Sequence, residues 1–299
     1  MPFRKFAVHE GIVSSNTAIQ LTDDAAAWSI GQFAPGMSGQ EATGASSFYV
    51  EIRSDAHPFT GKRFAVTTNS ATELQVAGGA QAGLTNDALA GTVYAIVAEQ
   101  RVRDIMGEPD APLIEGGSDV LSADNVLFWS GSSWERIYCK TSGNPPYLVD
   151  HWLLGSTIVD DKIIERDGAF FVRRRATSNL VLHVAGEVPL TAQWIDLHTG
   201  YNLVGGGWNA PVTIADTSLT NVISGGTNQD NADTILEWGG SSWLAPVYYK
   251  TSGNPPFLVG HWVRGATSVD TTFTLQPRQG YIIRSSTNTV WRKKREWSD

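Results

Sequence analysis

The hexapeptide Thr-Ser-Gly-Asn-Pro-Pro occurs at 141–146 and again at 251–256, inside a longer duplication. SADNVLFWSGSSW at 122–134 faces NADTILEWGGSSW at 231–243, with 8 of 13 positions identical. After a one-residue insertion, YCKTSGNPPYLVDHWLLG at 138–155 faces YYKTSGNPPFLVGHWVRG at 248–265, with 13 of 18 identical. The likeness fades through 156–167 and 266–279 and returns weakly as DGAFFVRR against QGYIIRSS. The period is too long for a solenoid, whose units run about 20–50 residues. It fits a duplicated domain, with units at 101–188 and 189–299. Residues 1–100 lie outside the repeat and form an N-terminal unit of their own.

The repeated hexapeptide has definite backbone requirements. Gly143 and Gly253 allow the left-handed conformation a tight turn demands. Asn144 and Asn254 precede proline and are pushed towards extended backbone. Pro145-Pro146 and Pro255-Pro256 donate no backbone hydrogen bond and cannot sit in a central strand. The loop is a rigid exit from a sheet. Tyr147-Leu148-Val149 and Phe257-Leu258-Val259 then read as core-seeking returns, closed by His151-Trp152 and His261-Trp262.

Strand signals dominate the rest. In SFYVEIRS, Phe48, Val50 and Ile52 share one face and Tyr49, Glu51 and Arg53 the other. RFAVTT, ELQVAG, LVLHVAG and TFTLQP also read as short strands bounded by turn residues. TVYAIVAEQRVRDIM is ambiguous between strand and helix. Each L-x-W-x-G-S-S-W reads as a hairpin whose flanking rings, Trp129 with Trp134 and Trp238 with Trp243, should meet across the strands. With 30 Gly, 11 Trp and a charged fraction of 17%, the expected class is all-β: tandem sandwich- or barrel-like domains.

A net charge of −8 argues against nucleic acid as a partner. No stretch is long enough to span a membrane, and no signal peptide is visible in MPFRKFAVHEGIVSS. The single cysteine, Cys139, faces Tyr249 in the second copy and reads as a small buried hydrophobe. No disulfide is possible within the chain.

The candidate chemistry is sparse. His151 and His261 are equivalent, as are Asp124 and Asp233, which allows paired Asp/His enzyme sites. Yet no second histidine lies at ligand spacing, and no established catalytic or metal motif occurs. The expectation is therefore a non-enzyme without metal or cofactor, its histidines structural. GYNLVGGGW at 200–208 reads as a strand ending in a turn. Tryptophans offer a second reading, a carbohydrate-binding module with one site per repeat, near Trp134/Trp152 and Trp243/Trp262. The basic cluster WRKKREW contains Trp291, Arg292, Lys293, Lys294, Arg295 and Trp297 and could dock on an acidic neighbouring subunit.

The order SFYVEIRSDAHPFTGKRFAVTTNSATELQV, an A-D-x-[VI]-L strand, W-x-G-S-S-W, GAFFVR and HVAGEVPLT resembles an uncharacterised family. Its members are repeat-containing, β-rich exported proteins found mostly in Verrucomicrobia and related bacteria. The resemblance covers most of the chain. It implies a surface or extracellular location and carries no established activity.

These readings converge on a structural protein that self-assembles at a cell surface into a filament, sheet or coat. Head-to-tail contacts between tandem domains propagate as open polymers when the rotation does not close. The segments expected at the joints are residues 1–10, the basic segment 286–297, and the corners at Asn144, Pro145, Pro146, Asn254, Pro255 and Pro256.

Overall fold

A computed structural model describes residues 5–35, 47–55, 57–165, 168–175, 177, 179–187, 191–205 and 210–293. The chain is all-β and built from antiparallel sheets. It divides into two compact units. One is the described chain up to Gln100, joined by Ala185–Gln193. The other runs from Arg101 to Val184 and resumes at Trp194, so both repeats share it. The described residues of 185–193, which the sequence divides between the repeats, group with the N-terminal unit. Glu187 meets Arg53 at 2.8 Å. A Cβ at Gly61 would lie 1.5 Å from the Ala192 carbonyl oxygen, and Gly61 has φ +80°. Only glycine lets the two backbones approach this closely there.

In the N-terminal unit, Ala7–Ile12 (β1), Ser15–Asn16 (β2), Gln20–Thr22 (β3), Phe48–Ile52 (β4), Arg63–Asn69 (β5), Glu73–Ala77 (β6) and Val93–Ala98 (β7) form one sheet. Its order is β1-β7-β4-β5-β6-β3-β2. The period-2 pattern of β4 is realised. Val50 and Ile52 are buried with Phe64, Val66, Leu74, Tyr94 and Ile96 in one core. On the opposite face Glu51 is buried between the Nε atoms of Arg53 and Arg63, each 3.4 Å away. The ambiguous segment resolves as both elements: β7, then a short helix over Val102–Met106 (α1). Val102, Ile105 and Met106 sit in the first repeat's core. LVLHVAG carries no strand. Leu180, Leu182 and Val184 alternate onto the first repeat's core without joining a sheet.

The first repeat contains Asn125–Trp129 (β8), Trp134–Lys140 (β9), His151–Leu154 (β10), Thr157–Ile158 (β11) and Phe171–Arg173 (β12), in the order β11-β10-β9-β8-β12. Then come Gln193–Leu197 (β13), Gly200–Gly205 (β14), Val212–Thr213 (β15), Thr234–Glu237 (β16), Val247–Tyr249 (β17), Trp262–Arg264 (β18), Thr267–Ser268 (β19), Thr274–Leu275 (β20), Gly280–Ser285 (β21) and Thr289–Lys293 (β22). They form a sheet β14-β21-β16-β17-β18-β19 and two strand pairs, β13-β22 and β15-β20. No sheet of the described residues closes into a barrel.

The duplicated segments take the same local path. β8, β9, β10 and β11 correspond to β16, β17, β18 and β19. Alternation gives each sheet two working faces. Inner faces carry the large cores: Val126, Ile137, Cys139 and Trp152 in one copy, Ile235, Val247, Trp262 and Ile283 in the other. The outer faces carry small satellite clusters. Tyr138, Leu148, Leu153 and Ala123 pack in the first copy, and Tyr248, Leu258, Val263 and Ala232 in the second.

Candidate functional site

Those satellite clusters explain the repeated hexapeptide. The chain leaves β9 or β17, turns at Gly143 (φ 84°) or Gly253 (φ 85°), and passes a cis Asn144–Pro145 or Asn254–Pro255 bond. It then forms one 3-10 turn, Pro146–Leu148 or Pro256–Leu258. That turn drops Leu148 or Leu258 onto the outer face of the sheet. Below it lies a buried lysine, Lys140 or Lys250. The Lys140 Nζ donates to the Ser118 carbonyl at 2.6 Å, and the Lys250 Nζ to the Thr227 carbonyl at 2.7 Å. Of the expected core-seeking segment only the leucines are buried. Tyr147 and Phe257 are each 72% exposed, because the 3-10 turn points successive side chains in different directions. The corner is thus anchored beneath and presents an aromatic ring above, in both copies.

The histidines are held, but not by the aspartates the sequence suggested. His151 Nδ1 lies 2.6 Å from Asp160 Oδ2, and His261 Nδ1 lies 2.5 Å from Asp270 Oδ2. The other carboxylate oxygen accepts the Trp152 amide in one copy and the Trp262 amide in the other, both at 2.7 Å. Each pair closes a hairpin, β10–β11 in one copy and β18–β19 in the other, by joining the histidine at the start of its first strand, or just before it, to an aspartate just past its second. An Nδ1–carboxylate bond also orients a general base, but no hydroxyl or thiol among the described residues is bonded to either Nε2.

Burial raises the pKa of Asp270. Bonds from His261, the Trp262 amide and the Ser268 hydroxyl outweigh it, leaving the carboxyl below its ordinary range. A depressed folded-state pKa contributes stability above the unfolded value of about 3.9, lost as pH falls through the folded value. Asp270→Asn is therefore expected to lower the urea midpoint at pH 7. That gap to wild type narrows as the pH is taken below the folded-state value. Urea titrations of both proteins at neutral and acid pH check this.

Asp124 and Asp233 serve elsewhere. Asp124 is fully buried, accepts the Glu115 amide at 3.0 Å and the Arg175 amide at 2.5 Å, and pairs with Arg174 at 3.0 Å. Asp233 accepts the Ser224 and Ser286 amides, each at 2.7 Å. Both fasten the loop before the first hairpin strand to the strand returning along its edge. The paired Asp124/His151 and Asp233/His261 sites are not assembled.

The four tryptophans expected to line two separate sites divide differently. Trp152 and Trp262 are wholly within the cores and offer no face to a sugar. Both W-x-G-S-S-W hairpins form as expected, with rings 5.2 Å apart in Trp129–Trp134 and in Trp238–Trp243. They also meet each other. Phe171 lies 5.5 Å from Trp134, 5.9 Å from Trp243 and 6.3 Å from Trp238. Tyr201 extends the row, 6.4 Å from Trp129, whose Nε1 donates to the Tyr201 carbonyl at 2.8 Å. One aromatic row, partly exposed, replaces two sites.

The basic segment begins inside the fold. Trp291 is buried in the second repeat's core, Lys293 is buried, and Arg292 stacks over Trp194 at 5.4 Å. β22 is already paired with β13, so Trp291–Lys293 is not a free arm. Lys294, Arg295 and Trp297 lie outside the described residues. Cys139 is buried, and its Sγ donates to the Pro109 carbonyl at 3.2 Å. Burial, with Asp150 and Asp160 adding to it, pushes its thiol up to about 12. The native protein should not react with a disulfide reagent at pH 8, and should yield one thiol per chain in guanidinium. Rapid labelling of the native state would contradict this burial.

Among the described residues no three His, Cys, Asp or Glu side chains are grouped to hold a metal, and no helix is long and apolar enough to cross a membrane. No family model, curated protein or solved structure matches this chain.

Sequence reasoning missed Asp160 and Asp270, Lys140 and Lys250, and Phe171. The lysines stand identical in both copies of the motif. The aspartates fall at matching positions, nine residues after each histidine, where Thr157 and Val159 also match Thr267 and Val269. Phe171 has no such signal, since its role depends on the repeats meeting in space.

Proposed function

We propose that this is a non-catalytic structural protein that associates with copies of itself through the edge of its N-terminal sheet, at a cell surface. The observation that carries the reading is β1. Among the described residues it is an edge strand paired only with β7. Ile12, on the face away from the core, is 58% exposed, Val8 at the bulge is 55% exposed, and the preceding Phe6 is 67% exposed. Val93, opposite Ile12 on β7, is exposed beside them.

Folded proteins blunt sheet edges because unpaired N–H and C=O groups template pairing with another chain. The other edges of the three larger sheets are blunted. β2, β11, β12 and β19 are two or three residues long, and β14 is bridged at Val204 by Gly168. On β1 the register shift between Ala7 and His9 leaves His9–Ile12 in regular pairing. Glu10, its acidic side chain, is engaged by Arg53. Strand addition at such an edge draws affinity from main-chain hydrogen bonds. The cell-surface location rests on the family resemblance.

Light scattering and negative-stain microscopy across a concentration series test the reading. Ordered particles well above the 32.3 kDa of one chain support it, and a monomer at every concentration overturns it.

A further inference from the structure

We propose that the aromatic row where the two repeats meet is a single binding surface for a neutral polysaccharide. This site does not depend on self-assembly.

The chain treats its tryptophans in two ways. Trp152, Trp262 and Trp291 are buried almost completely. Trp129, Trp134 and Trp238 are only partly buried, while Trp243 is 38% exposed and Tyr201 44% exposed. These rings, with Phe171, are continuous through edge-to-face contacts. Such contacts fix ring orientation, and the Trp129 bond to the Tyr201 carbonyl fixes the end of the row. The platform is therefore ordered before any ligand arrives, which reduces the entropy cost of binding.

Its rim selects the ligand. Ser130, Ser132, Ser133, Ser241 and Ser242 are exposed on the two hairpin turns. These turns carry hydroxyls and glycine but no charge. The carboxylates along the hairpins are already matched, Glu135 with Lys162 and Glu237 with Arg264, each at 2.8 Å, while Arg136 and Arg173 are exposed on the strands beyond the rings. Half-exposed rings bordered by hydroxyls on uncharged turns, with the nearby carboxylates neutralised in pairs, suit a ligand that is apolar on its faces and hydroxylated at its edges, and the turns ask for no charge on it. A sugar ring has that chemistry. The row draws rings from both repeats, so it fits a run of linked sugars better than one monosaccharide.

The test is retention of the purified full chain on insoluble cellulose, chitin and α- and β-glucans, with an anionic polysaccharide in parallel. Tryptophan fluorescence with soluble fragments of whichever polymer retains the protein gives the affinity. At least one neutral polymer should retain the chain and perturb its fluorescence, and Trp243→Ala should weaken binding at least about tenfold. Should Trp243→Ala fail to fold, Tyr201→Ala, a truncation at an exposed position, decides with the same expected weakening. Three outcomes would overturn the proposal: no retention on any neutral polymer, retention on the anionic polymer alone, or binding unchanged in the folded variants.

Discussion

Replacing Val8 and Ile12 together by lysine is expected to leave a folded monomer that no longer assembles. Both side chains are more than half exposed, so their removal from the native state should cost within about 0.5 kcal/mol. The effect on association should be far larger. Two lysines add like charge to both edges of any β1–β1 pairing, and charged side chains, lysine above all, are how natural sheets discourage edge-to-edge contact. Light scattering should report a single chain at concentrations where wild type forms particles. The thermal transition should stay within a few degrees of wild type. If the double variant assembles as wild type does, β1 is not the joint.

The largest expected loss of stability from a polar side chain is at Asp233. Both of its oxygens are committed to backbone amides, of Ser224 and Ser286, and the carboxylate is buried. Alanine there leaves two donors without partners. Both donors belong to exposed residues, so water recovers part of the loss; at roughly 1.5–3 kcal/mol for a hydrogen bond to a charged group, Asp233→Ala should cost about 2–4 kcal/mol, read as a lower urea midpoint. Asp124→Ala should cost a similar amount. That change also removes a carboxylate lying 3.0 Å from the Arg174 Nε. By contrast, Tyr147→Ala and Phe257→Ala remove exposed rings and should leave the midpoint nearly unchanged. Equal losses for the aspartates and the exposed rings would show that Asp124 and Asp233 do not fasten the hairpins.

The all-β class was legible because its signals are local. Alternation in 47–54 assigns the two faces of β4 correctly, and the flanking tryptophans of each hairpin meet as the turn predicts. The corner at TSGNPP was legible as a sheet exit for the same reason, since glycine and proline constrain the backbone wherever they occur. The path of the chain beyond the corner was not legible. Tyr147 and Leu148 are both apolar, and only the 3-10 geometry decides that the leucine goes in and the tyrosine out.

The site was less legible because its geometry is non-local. Asp124 and His151 look like partners by their matched positions, but register decides otherwise. His151 stands opposite Lys140 on β9, and its carboxylate comes from Asp160, just past β11 on its other side. Trp134 and Trp152 are near in sequence and alike in chemistry. One belongs to an outer row and the other to the inner core, because strand alternation separates them. The aromatic row itself depends on contact between the repeats, and no single-repeat pattern encodes that.

Hydrogen–deuterium exchange of wild type, compared at low and high protein concentration, tests the central claim most directly. If the edge of the N-terminal sheet is the joint, amides of Ala7–Ile12 that lie on the open side of β1 should exchange freely in the monomer and become protected in the assembled state. Protection in β4 and β5, already inside the sheet, should not change. Assembly with β1 amides still exchanging freely would contradict the account.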